Sequence, residues 1–251
     1  MSNALGNFNP MPADAGEARE QCVVANRILA NEGILDAFGH ISVRNPERTD
    51  RFFQSYSMPS ELVTRSDIIE FDVDGNHISG PDMPPFREVG MHAEIYRARS
   101  DVNAICHCHT KELVPFAITG VPLRPLSQAT TLFYQGVPLY RPREVTPFLL
   151  TASRESCLDL VRVLGSHRAV LVQHHGAVIV GENTIAMVTG AFYLRENAQM
   201  QKEAMQLGTP EYLSDEEGEE GCRNLLSNPT LERMWRYWVK RMQNAMPDMY
   251  W

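Results

Sequence analysis

The chain has 251 residues, 43% of them hydrophobic, and a formal net charge of -8, which is length enough for one well-buried core. With this acidic balance and no Lys/Arg cluster, nucleic acid and anionic membranes have little to hold, so the expected partners are an anionic small molecule and other copies of the chain. No apolar run approaches membrane-spanning length and the start, MSNALGNFNPMPADAGEARE, lacks the apolar centre of a signal peptide; with five scattered cysteines (Cys22, Cys106, Cys108, Cys157, Cys222), the expectation is a cytoplasmic protein with reduced thiols.

In chain order, residues 1–13 read as disordered. Asp14 to Asn31 has apolar residues at helical spacing (Val23, Ala25, Ile28, Leu29) and ends at Gly33. His40-Ile-Ser-Val-Arg44 and Ser66 to Val73 read as strands, with Asp74-Gly75-Asn76 as a hairpin turn, because glycine tolerates positive φ. Arg87 to Arg99 is expected to be a helix, Val102 to His107 a strand and Lys111 to Ile118 a short helix. A strand near Leu139, a helix over Ser153 to Leu164 and two short strands around His175 follow. A long helix begins at Asn183-Thr184 and runs to about Leu207, with Ala186, Val188, Ala191 and Leu194 on its inward face. The tail from Tyr212 carries the acidic run Ser214 to Glu220, read as a solvated helix start. An amphipathic helix from Pro229 to about Ala245 follows, with Leu231, Met234, Trp235, Trp238 and Met242 on its apolar side. The alternation predicts an α/β protein, a mixed central sheet with helices on both faces. No linker divides it, so 14–210 is expected to be one catalytic domain, with 211–251 packing on it or on a neighbouring subunit.

The chemistry-bearing residues are histidines. On an extended strand residues two apart point the same way, so His107 and His109 share one face while Cys106 and Cys108 take the other as structural thiols. A lone strand histidine is usually a satisfied core or surface residue. The second motif, His174-His175-Gly176, breaks an otherwise buried apolar run, and two adjacent polar rings are costly there unless something binds them. Adjacent rings face opposite ways, so one of the two is a ligand. Three imidazoles and a nearby carboxylate make a nitrogen and oxygen set for a catalytic divalent ion with positions left open.

These motifs resemble the class II aldolase and adducin family in content and order: GHISVRNP at 39–46, Glu-x-x-x-His from Glu88 to His92, His-x-His at 107–109 and His-Gly at 175–176. The resemblance implies His107, His109 and His175 as metal ligands and Glu88 as catalytic acid/base. His92 and His174 are then neighbours of that first set. It also implies one divalent ion per subunit, Zn2+ or Mn2+ with Fe2+ or Co2+ as alternatives, and a homotetramer with active sites near subunit interfaces.

The departures from the sugar-phosphate aldolases bear on substrate. Where those enzymes place an Asn, a Gly and a Ser-Ser pair around a phosphate, this chain has His40, Ser57 and Phe86-Arg87. Phosphate binding needs the close backbone approach that glycine permits, whereas Phe86 offers an apolar wall and Arg87 a planar fork suited to a carboxylate. With RFFQSYSMPSELVT at 51–64 and GVPLRPL at 120–126, the chain looks like the family's decarboxylase branch, which acts on hydroxylated aromatic or heteroaromatic carboxylic acids. His40, Ser57, Phe86 and Arg87 are then the expected substrate-binding residues. The alternatives are an aldolase acting on a sugar phosphate or hydroxy-keto acid, a non-catalytic adducin-like module and, because three histidines also suit iron, an oxygenase.

Overall fold

A computed structural model describes residues 8–142 and 153–247. Eight strands form one sheet: β1 (His40–Arg44), β2 (Arg51–Ser55), β3 (Ile68–Asp72), β4 (His77–Ser79), β5 (Ala104–Cys108), β6 (Leu139–Tyr140), β7 (Ala169–Val172) and β8 (Gly176–Gly181). Their spatial order is β4-β3-β2-β1-β5-β8-β7-β6, antiparallel except for the β6/β7 pair. Helices α1 (Ala15–Asn31) and α5 (Thr184–Leu207) cover one face. Helices α2 (Val89–Ala98) and α4 (Arg154–Leu164) cover the other. The expected α/β/α sandwich with a mixed central sheet is therefore the fold observed.

Alternation along each strand builds two cores. Ile41, Val43, Phe53, Ala104, Cys106, Cys108, Ala177 and Ile179 pack with α1 and α5. Phe52, Ile69, Phe71, Ile105, Val178 and Val180 pack with Met91, Ile95 and Tyr96 of α2 and Leu160 and Leu164 of α4. The inward residues expected of α5, Ala186, Val188, Ala191 and Leu194, are all buried. Helices α3 (Val114–Thr119) and α6 (Asp215–Leu225) are short, and α7 (Asn228–Ala245) buries Leu231 and lays Trp238 and Met242 into the α1/α5 core, with Trp238 5.3 Å from Phe192.

Capping sets the helix ends. Asp14 accepts from Glu17 N–H at the start of α1, Asn183 from Ala186 N–H at the start of α5, and Ser214 forms a reciprocal box with Glu217 where the acidic run begins α6. Gly33 and Gly75 have φ of 68° and 82°, the left-handed values needed after α1 and in the β3/β4 turn. Of the segment expected to be disordered, 1–7 fall outside the described residues, but Pro12 is buried and Ala13 N–H bonds Glu17, so order begins before the α1 cap.

Three expectations shift. The helix expected from Arg87 begins at Val89, with Glu88 at its N-cap, and the short helix expected from Lys111 begins at Val114. Strand β2 was not anticipated, because Phe52 and Phe53 are both buried, on opposite faces, and so produce no alternation. The two short strands expected around His175 are β7 and β8, joined by a turn at residues 173–175.

One side chain ties α2 to the sheet. Arg44, 6% exposed at the end of β1, donates to the carbonyls of Val102, Thr49, Tyr96 and Arg99 at 2.5–2.9 Å and lies 4.6 Å over the Tyr96 ring. Two of these acceptors, Tyr96 and Arg99, belong to the end of α2, where carbonyls lack partners within the helix. Arg44→Ala is expected to lower stability by about 3 kcal/mol, since charged hydrogen bonds to buried carbonyls are lost together. Urea denaturation checks this: an unchanged midpoint would show that α2 does not depend on Arg44.

Candidate metal centre and active site

Strand β5 delivers His107, and His109 follows just beyond its end, with the alternation that turns Cys106 and Cys108 into the opposite core. The β7–β8 turn brings His175 over them. The three Nε2 atoms form a triangle with sides of 3.0, 3.1 and 3.1 Å. His107 Nδ1 lies 3.0 Å from the carbonyl of Ala177 and His109 Nδ1 3.2 Å from Asp36 Oδ1. Those acceptors require the proton on Nδ1, so both Nε2 atoms carry lone pairs aimed at one point. Converging lone pairs repel unless a cation lies between them, and this donor set fits a divalent ion.

Electrostatics agree with ligation by neutral imidazoles. Burial, assisted by the neighbouring His40, His109 and His175, pushes the His107 imidazole well below its ordinary range. Burial and then His109 push His175 down to about 4, against the opposing pull of Asp36. Asp36 was not anticipated. Burial works to raise its carboxyl, but the N–H groups of Phe38 and Gly39, at 2.9 and 2.8 Å, and His109 outweigh it and hold it below the usual carboxylate range. The available signal was the Asp-x-x-Gly turn that leads into β1.

Glu88 stands half-buried at the N-cap of α2. Burial raises its carboxyl above the ordinary value, although its own backbone N–H, His109 and Arg87 all act to lower it. One turn on, His92 is fully buried, with Nδ1 2.6 Å from Ser42 Oγ, which in turn lies 2.9 Å from Tyr96 OH. His40, opposite His107 in the β1/β5 register, is also fully buried. It is held between ring neighbours: Phe86 lies flat on it at 4.1 Å and 6°, His92 at 5.0 Å, and the edge of His107 at 5.4 Å. Burial lowers His40 to about 3 despite the Phe38 carbonyl.

The remaining expected residues are spread more widely. Phe86, 5% exposed, is occupied by its stack on His40 and so acts on the site through that ring rather than as an open wall. Ser57 is exposed, and its N–H donates to the Pro84 carbonyl, joining the 57 loop to the segment before Phe86. Arg87 lines a cleft of about 270 Å³ between α2 and α4 with Arg97, Arg154 and Glu94, and touches the site through its effect on Glu88. His174 is exposed with φ of 59°, the one left-handed non-glycine among the described residues, and turns away from the triad that His175 joins. Ser42 and Tyr96 were missed; their signal was position, two residues after His40 on a strand and four after His92 on a helix.

If the triad is the metal centre, His107→Ala and His175→Ala each lose the ion, whereas His174→Ala keeps it. Elemental analysis of the purified variants tests this, and full occupancy in either of the first two would overturn the assignment.

Residues 20–202 match the family described as Class II Aldolase and Adducin N-terminal domain. The chain is 30% identical over 246 residues to Decarboxylase tropJ of Talaromyces stipitatus, covering 87% of this chain and 91% of that one. It is 32% identical over 180 residues to the 3,4-dihydroxyphthalate decarboxylase of Arthrobacter keyseri, covering 66% and 69%. Among solved structures, the L-fuculose 1-phosphate aldolase of Glaciozyma antarctica superposes with a TM-score of 0.79 at 23% identity over 97% of each chain, which establishes the shared fold. No described helix is long and apolar enough to cross a membrane. The fold, the ordered motifs and these matches together place the chain in the class II aldolase and adducin family, with relatives that include Decarboxylase tropJ and a 3,4-dihydroxyphthalate decarboxylase.

Proposed function

We propose that this protein is a divalent-metal-dependent carbon–carbon lyase that decarboxylates a hydroxylated aromatic or heteroaromatic carboxylic acid. The observation that carries the choice of carboxylate over sugar phosphate is the state of the segments that the resemblance sets against the aldolases' phosphate-binding positions. The Ser57 N–H, which a phosphate would need, is engaged by the Pro84 carbonyl, and Phe86 lies flat on His40 where small serines would leave room. The similarity to decarboxylases supports the same reading.

His107, His109 and His175 would hold the ion, Zn2+ or Mn2+ with Fe2+ or Co2+ as alternatives. When bound, it supplies Lewis acidity toward chelated substrate oxygens as carbon dioxide leaves. The chain's own residues do the rest. The ring-to-carboxylate bond breaks, its electron pair stays with the ring, and Glu88, whose carboxyl burial shifts toward the protonated form, delivers a proton to the ring carbon and is reprotonated from water. His40 contributes to holding substrate oxygens, Phe86 keeps its ring in plane, and Arg87 draws the anion toward the site from the α2/α4 cleft. A homotetramer with sites near subunit interfaces completes the reading. Phe38, 72% exposed beside Asp36 and His40, is an apolar group for a second copy to cover.

Metal-loaded protein incubated with ortho-hydroxylated aromatic acids is expected to release carbon dioxide, and with phosphorylated ketoses to do little. Efficient aldol cleavage of a ketose phosphate would instead favour the aldolase reading. Glu88→Gln preserves size but cannot transfer the proton, so it is expected to retain metal and lose at least about a hundredfold in turnover. Near-normal turnover in that variant would remove Glu88 from the chemistry.

A further inference from the structure

Two nitrogen atoms beside the metal centre, His40 Nε2 and His92 Nε2, are buried without a hydrogen-bond partner among the described residues. The rings that carry them are fully buried, 5.0 Å apart and 27° from parallel. In each ring the other nitrogen determines what Nε2 presents. His40 Nδ1 lies 3.1 Å from the Phe38 carbonyl, which only accepts, so the His40 proton is on Nδ1 and Nε2 carries a lone pair.

For His92 the answer comes from a chain. Its Nδ1 is 2.6 Å from Ser42 Oγ, and Ser42 Oγ is 2.9 Å from the Tyr96 hydroxyl. Tyr96 is 2% exposed, and Ser42 is its hydroxyl's partner among the described residues. If Ser42 donated to Tyr96, the phenol hydrogen would be buried with no acceptor, a costly arrangement. The order that satisfies both hydroxyl hydrogens has Tyr96 donating to Ser42 and Ser42 donating to His92 Nδ1, which leaves the one hydrogen still in need of an acceptor on the His92 ring. The proton of His92 is then on Nε2. Two neighbouring rings thus present opposite hydrogen-bonding groups, a lone pair and an N–H.

We propose that His40 Nε2 and His92 Nε2–H form a recognition pair for one hydroxyl oxygen, with Ser42 and Tyr96 as positioning residues that hold the His92 proton in place. A hydroxyl donates to the first and accepts from the second. A carboxylate has no hydrogen to donate, and an ammonium has no lone pair with which to accept. Phe86, flat against His40, keeps the acceptor ring in its plane. Gln54, opposite Ser42 in the β1/β2 register and on the same sheet face, adds an amide whose oxygen and nitrogen are likewise buried and unpartnered, which extends the polar strip. The oxygen belongs either to a water or to a hydroxyl of the substrate. The second source rests on the decarboxylase reading, and the pairing itself does not.

The test uses the ring nitrogen resonances of the ¹⁵N-labelled full-length protein, which distinguish the two neutral tautomers of each histidine. His92 is expected as Nε2–H in the unmodified protein. Ser42→Ala should move it to Nδ1–H or an averaged pattern, and Tyr96→Phe should move it part of the way. Nδ1–H for His92 in the unmodified protein, or a pattern unmoved by Ser42→Ala, would overturn the proposal; if Ser42→Ala does not fold, an unmoved pattern in the milder Tyr96→Phe overturns it as well. Because this readout needs no turnover, it survives failure of the decarboxylase assignment. Crystals identify the source: an ordered oxygen bridging both nitrogens in the protein alone marks water, and its replacement by the hydroxyl of a soaked ortho-hydroxylated aromatic acid marks substrate. No oxygen within hydrogen-bond reach of both nitrogens in either crystal would overturn the pairing.

Discussion

The site depends on how closely two backbones approach each other at Gly176. A Cβ there would stand 2.1 Å from the Cys108 carbonyl oxygen, a distance that no side chain tolerates, and 3.2 Å from the His109 Cα. The missing methyl lets β8 pair with the end of β5, Ala177 opposite Cys108, and so brings the β7–β8 turn down onto the strand that delivers His107 and His109. The turn itself places His174 in the left-handed region at φ 59°, which sends one histidine outward and the next inward. A backbone contact therefore decides which imidazole of an adjacent pair joins the triad.

From the triad a strip of polar groups runs into an otherwise apolar layer. His107 and His40 are paired across β5 and β1, Ser42 follows His40 on the same face, and His92 and Tyr96 come down from α2 one turn apart. Burying so many polar atoms is unfavourable unless they are hydrogen-bonded. Most are, through carbonyls at Phe38 and Ala177 and through the Ser42 hydroxyl. The same burial keeps the imidazoles neutral, which is the form that offers lone pairs to a metal ion. Arg44 supports this arrangement from the far end of α2, where its guanidinium accounts for carbonyls that the helix cannot satisfy itself. Stability and the candidate site thus share the same helix.

Family membership establishes the frame within which the departures have meaning. Two of those departures have partners within the structure. The Ser57 backbone has found a partner within the protein, and Phe86 has become part of a ring stack that orients His40.

Much was legible before any coordinates because its causes are local. Helix periodicity, the helix starts at Asp14, Asn183 and Ser214, the Asp-Gly turn after β3, and the two-residue spacing of His107 and His109 act over a few bonds, and the structure reproduces each. Strand β2 was hidden because a strand buried on both faces has no alternation to read. Asp36, Ser42 and Tyr96 were hidden because nothing in their own neighbourhoods distinguishes them from ordinary turn, strand and helix residues. Their partners lie 73, 50 and 54 positions away. By itself, then, the sequence determined the identity of the donors and the elements that carry them. Tertiary structure alone decided which donors meet, which nitrogen of each ring faces inward, and that Arg87 lines the outer cleft while His40 is enclosed. Those outcomes depend on backbone approach and desolvation between distant segments, and neither is encoded in local spacing.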